Sequence, residues 1–136
     1  MDENQVIWRE LRTKQNQLDL LDERNRSNRQ QREKQFDDLQ QKRDQLLHMM
    51  ESKYQMMQHT LGQVDVDTTE ERARLNRIAS HFSQSVSMGF TRNQHTLEQR
   101  IENEEIEYRR ERRKLEDDID TLHRQKMKLD QEKRKG

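Results

Sequence analysis

Five residues, Ile101, Tyr108, Leu115, Leu122 and Leu129, stand at strict seven-residue spacing in the C-terminal part of the chain. Seven residues are close to two turns of an α-helix, so this column forms one narrow apolar stripe that needs a partner helix to leave water. Similar stripes run through the rest of the sequence. Ile7, Leu11, Leu18 and Leu21, then Phe36, Leu39, Leu46, Met50, Met57 and Leu61, recur mostly at helical spacing, and Leu75, Ile78, Phe82 and Val86 follow. The stripes stay narrow because only 27% of the chain is hydrophobic while 40% is charged, which excludes a large spherical core. Proline is absent and glycine occurs three times in 136 residues, so little in the chain obliges a helix to stop.

One boundary is clear. Gly62 to Asp67 has low helix propensity, and Thr68 with Glu71 spells a capping box that would open a second helix. The organisation expected is a first coiled-coil helix within 1–61, a turn at 62–68 and a second coiled-coil helix within 69–136, each arm about 90 to 100 Å long at the usual helical rise. Serines and Gly89 mark a weak point at 83–91, where a hinge or short break is expected and Thr91 with Gln94 offers another capping signal.

Charge supplies an independent test of how the arms pair. If facing positions add to about 130, Arg24, Arg26, Arg29 and Arg32 meet Glu98, Glu102, Glu104, Glu105 and Glu107. The same register sets Asp19, Asp22 and Glu23 near Arg109, Arg110, Arg112 and Arg113, and Arg9, Arg12 and Lys14 near Glu116, Asp117, Asp118 and Asp120. Asp2 and Glu3 then meet Lys126 and Lys128, Ile119 falls near Leu11, and Glu10 near Asp120 is an exception. A parallel in-register pair would instead set the arginine block against itself, which flanking positions of coiled coils avoid. The fold class expected is all-α, an antiparallel coiled-coil helical hairpin of two long helices; an antiparallel dimer of extended chains would satisfy the same map. Because the stretch from Asp22 to Gln35 brings no apolar residue to the seam, a lone hairpin would be marginal, and assembly into a dimeric bundle is expected.

Chemistry finds little purchase. Cysteine is absent, and His48, His59, His81, His95 and His123 include no pair three or four apart that would put two imidazoles on one helical face. No phosphate-binding glycine loop or nucleophile elbow occurs. The expectation is a non-enzyme with no catalytic residue, cofactor or metal. Basic and acidic residues balance at 27 each, so only a local patch could draw nucleic acid. Two candidates are Arg24, Arg26, Arg29, Arg32 and Lys34, and Arg109, Arg110, Arg112, Arg113 and Lys114. The first block, running into the pattern from Phe36, resembles the basic region and zipper of the bZIP family. That family sets Arg or Lys eight residues after its Asn, whereas Glu33 follows Asn25 and Phe36 follows Asn28 at that distance.

A signal-like apolar run and a membrane-length apolar stretch are both missing from the sequence, so an intracellular place, cytoplasmic, cytoskeletal or nuclear, is expected without membrane contact. The function expected is a scaffold or adaptor that oligomerises and holds protein partners, with a nucleic-acid-binding coiled coil as the alternative. Its interface would be the stripes named above. Its docking surface would lie near the turn, where Met49 and Met56 flank Tyr54 and where Val86, Met88 and Phe90 fall opposite; methionine-rich surfaces adapt to varied partners.

Overall fold

The structure, a computed structural model, describes residues 2–135. Two α-helices, α1 (Glu3–Gly62) and α2 (Thr69–Lys135), pack against each other as a hairpin, with no strand among the described residues. Their ends follow from local chemistry. Asp2 caps α1, its carboxylate accepting the Asn4 N–H at 3.4 Å and its carbonyl accepting those of Gln5 and Val6. At the turn the cap differs from the box read in the sequence. The Asp67 carboxylate takes the Thr69 N–H at 3.1 Å and the Thr69 hydroxyl at 2.6 Å, and these bonds hold its pKa below the usual carboxylate value. Thr68 gives its carbonyl to the Arg72 N–H and points its hydroxyl back to the Leu61 carbonyl, joining the end of one helix to the start of the next.

The weak point at 83–91 does not break α2, which runs through it as continuous helix. Gly89 keeps ordinary helical backbone, and a side chain there would meet nothing within 4 Å. Without a proline, several low-propensity residues cost a helix only fractions of a kcal/mol each up to about 1 for glycine, which packing along the seam offsets.

Contacts within the hairpin fall into two compact units. The open-end unit comprises residues up to Gln31 together with those from Arg100 on, and the turn-end unit comprises Arg32–Gln99. In the open-end unit the shielded positions of α1, apart from Asp22 at the seam's edge, are Asn4, Ile7, Leu11, Lys14, Leu18, Leu21, Asn25 and Asn28, alternating three and four apart. They face the seven-residue column of α2, in which Leu122 is buried and Ile101, Tyr108, Leu115 and Leu129 are half-buried. The stretch that brings no apolar residue to the seam thus stays in register through polar ones, and Asn25 is only 7% exposed. A buried asparagine at such a position selects register at some cost in stability.

The turn-end unit keeps a different rhythm. Its shielded α1 positions are Arg32, Phe36, Leu39, Arg43, Leu47, Met50, Tyr54, Gln58 and Leu61, which repeat every eleven residues: 32, 43 and 54, then 36, 47 and 58, then 39, 50 and 61. On α2 the same period links Leu75, Val86 and Leu97, and Ala79 with Phe90. Eleven residues in three turns is close to the natural helical pitch and slightly looser, so the seam no longer follows the left-handed wrap that a seven-residue repeat imposes. This rhythm corrects two expectations. Leu46 and Met57, taken for seam residues seven after Leu39 and Met50, are 38% and 57% exposed, and Leu47 and Gln58 occupy the shielded places beside them.

Candidate functional site

Charge fixes the two arms' register in the open-end unit. The Asp22 carboxylate accepts the Tyr108 hydroxyl at 2.6 Å and a two-pronged bond from Arg112, with Nε at 3.1 Å and Nη2 at 3.3 Å, while Arg112 also reaches Glu116 on its own helix. The Tyr108 hydroxyl and then the Arg112 guanidinium hold Asp22 below the usual carboxylate range. The bond to Asp22, followed by desolvation, pushes the Tyr108 phenol up, and Asp22 raises Arg112 in turn. Arg29 forks onto Glu105 at 3.3 and 3.4 Å, Lys14 meets Asp118 at 3.3 Å, and Lys133 reaches Asp2 at 3.4 Å. Three of these are pairings the charge map anticipates; at the extreme end Asp2 takes Lys133 in place of Lys126 or Lys128. Glu10, the exception in that map, shares a groove with Lys128.

These bonds also decide the fate of the basic blocks. Arg29 and Arg112 are engaged across the hairpin, and Arg32 is only 7% exposed. Arg24, Arg26, Arg109, Arg110 and Arg113 remain on the surface, interleaved with those pairs rather than gathered on one face. Among the described residues no group of three His, Cys, Asp or Glu is placed to hold a metal ion, and no helix is long and apolar enough to cross a membrane.

The methionine-rich region near the turn divides in two. Tyr54, Val86 and Phe90 are half-buried in the seam rather than displayed for a partner. Tyr54 donates to Asn76 and accepts Gln58 Nε2 at 2.7 Å, and the Arg43 guanidinium lies 4.4 Å above the Phe90 ring, a cation–π contact that roofs the aromatic. Met49, Met56 and Met88 stay exposed as expected, joined by Leu46, Met57 and Ile78. Leu46 and Met57, eleven apart and therefore on one face in this unit, flank the seam beside Met49. The seven-residue reading assigned Leu46 and Met57 to the seam, which is why it left them out of the surface.

The open-end unit carries two grooves that sequence reasoning missed. One flank of the seam, where Trp8, Ile119 and Lys126 follow the positions used by Asp22, Arg29, Glu105 and Arg112, holds a groove of about 460 Å³ lined also by Leu11, Arg12 and His123. The opposite flank, carrying Glu3 and Glu10, holds one of about 480 Å³ lined also by Val6, Ile7, Lys128, Leu129 and Glu132. Both floors are apolar, and their rims have opposite sign. The one signal that could have revealed them is the seven-residue spacing of Glu3 with Glu10 and of Ile119 with Lys126, on either side of the stripe. Comparison of the chain with protein-family models, with curated proteins and with solved structures found no match to any of them.

Proposed function

We propose that this chain is a non-enzymatic coiled-coil scaffold or adaptor of the cell interior, one that self-associates and holds protein partners together. The observation that carries the reading is the imbalance between core and surface. The buried hydrophobic residues are Ile7, Leu18, Leu21, Leu97 and Leu122, and no large side chain among the described residues is fully buried. Against them stand Trp8, Leu20, Met56, Met57, Ile78, Met88 and Met127, each more than half exposed. So small a buried core leaves a lone hairpin marginal, and covering exposed apolar side chains with a second chain would add to its stability. The grooves are shallow and open, without the enclosed, water-excluding geometry in which side chains become catalysts. The engagement of Arg29, Arg32 and Arg112 within the hairpin weighs against the two basic blocks as a nucleic-acid surface.

The test is a thermal melt followed by circular dichroism over a hundredfold dilution, with mass read by light scattering. Self-association predicts a midpoint that falls on dilution together with a mass above that of one chain. A constant midpoint at monomer mass would remove self-association from this reading.

A further inference from the structure

The two grooves of the open-end unit share an apolar floor and differ in the sign of their rims. Their volumes are nearly equal, about 460 and 480 Å³, and Ile7, Leu11, Ile119 and Leu129 give both an apolar floor. On the first, Arg12, His123 and Lys126 rim the floor without a carboxylate; on the second, Glu3, Glu10 and Glu132 outnumber Lys128. None of the arginine, lysine and glutamate side chains of these rims makes an ion pair among the described residues, so both rims keep their charge for an outside partner. Trp8, 56% exposed, stands at the edge of the basic groove, and Val6, 39% exposed, at the edge of the acidic one. An aromatic anchor beside an apolar floor, ringed by charge, is the usual make-up of an energetically dominant protein contact.

We propose that the basic-rimmed face of one copy packs against the acidic-rimmed face of a second copy, the projecting Trp8 edge of the first entering the acidic groove of the second, so that chains associate side by side through a heterologous contact at the open end. This deepens, and rests on, the self-association in the functional reading above. A second copy is the occupant because the chain itself supplies a surface of opposite sign, with the exposed Trp8 as the side chain that fills the facing groove. A two-fold pairing of either groove with itself would set like charges together. The acidic groove lies about six residues nearer the helix ends than the basic one, so neighbouring copies are staggered by about 9 Å along the helices. Each copy presents both faces, and growth continues past a dimer unless the rotation between copies closes a ring.

The experiment uses the full chain and two variants that neutralise one face each. Arg12→Gln with Lys126→Gln blanks the basic groove, and Glu3→Gln with Glu10→Gln blanks the acidic one, glutamine being a good helix former. Sedimentation velocity over a concentration series at low and high salt reads mass, and emission from Trp8, the single tryptophan, reads burial of the groove. The unaltered chain should exceed dimer mass as concentration rises, and salt should weaken it. Each variant alone should self-associate about tenfold more weakly. Mixed together, the two retain one good face each and should form a one-to-one complex that grows no further, with Trp8 emission shifted to the blue; this recovery also shows that both variants are folded. Variants that self-associate like the unaltered chain, or a mixture that recovers nothing, would overturn the heterologous contact and leave self-association standing. An unaltered chain that stays monomeric throughout would overturn both.

Discussion

In the open-end unit Ile7, Leu18, Leu21 and Leu122 are buried, whereas in the turn-end unit Leu97 is the hydrophobic residue buried to that degree. The same two helices make both. What differs is the repeat: seven residues in the first, eleven in the second. A seven-residue repeat presents two positions per two turns and lets helices wrap to keep them facing, so a few side chains are well covered. The eleven-residue repeat presents three positions per three turns, the same density, but on straighter helices that do not wrap around each other, and its seam residues are mostly half-buried. The second unit compensates with polar and aromatic contacts, Arg43 over Phe90 and the Tyr54, Asn76 and Gln58 cluster. It also leaves the broader apolar flank of Leu46, Met49 and Met57.

The comparison can be broken by truncation in the better-covered unit, where the largest effect is expected. Leu122→Ala should cost about 2 to 3 kcal/mol in chemical denaturation, as for other buried leucines. The half-buried Leu61→Ala should cost about half that; equal costs would mean that the two units bury their seams alike. A sharper test compares neighbours. If the eleven-residue rhythm governs the turn-end unit, Leu47→Ala should cost about 1 to 1.5 kcal/mol, like Leu61→Ala, and Leu46→Ala less than about 0.5. The reverse order of melting points would restore the seven-residue register and return Leu46 to the seam.

Smaller effects test the units' local devices. Gly89 sits in unbroken helix with open space around it, so Gly89→Ala should stabilise by about 0.5 to 1 kcal/mol, seen as a raised melting midpoint. A drop would reveal a conformational demand at that position. In the open-end unit Tyr108→Phe removes the hydroxyl from Asp22 and should cost about 1 kcal/mol or less, since the Asp22 and Arg112 side chains are about one-third exposed and water screens them. The signs of the pKa shifts give this cluster a pH window. Asp22, held low, stabilises the fold above its ordinary 3.8 and loses that contribution as pH falls through its lowered value; Tyr108, pushed up, stabilises below its ordinary 10.0 and loses it as pH rises through its raised value. Tyr108→Phe should therefore flatten the alkaline arm of the stability profile, read as denaturation midpoint against pH.

Much of this architecture was readable in advance. The seven-residue column from Ile101 to Leu129 implied helix and partner, Gly62 to Thr68 implied the turn, and opposed blocks of charge implied an antiparallel register that Asp22 with Arg112, Arg29 with Glu105 and Lys14 with Asp118 obey. These are local signals, or sums of many weak ones, and do not depend on which side chain a helix turns inward at a given level. The seam residues of the turn-end unit were less readable. Leu46 beside Leu47, and Met49 beside Met50 and Met56 beside Met57, offer adjacent apolar residues, and a shift of one position moves a side chain by about 100° around the helix. The polar seam at Asn25, Asn28 and Arg32 was hidden for the opposite reason, because a search for apolar periodicity passes over it.

By itself the amino-acid sequence determined the helical class, the turn and the antiparallel direction, because propensity, spacing and charge are properties of single residues and their intervals. Only the tertiary structure decided the change of repeat, the withdrawal of Tyr54, Val86 and Phe90 into the seam, and the two grooves of opposite charge. Each of those depends on how far one helix has rotated where it meets the other, and that angle exists only once the two are packed together.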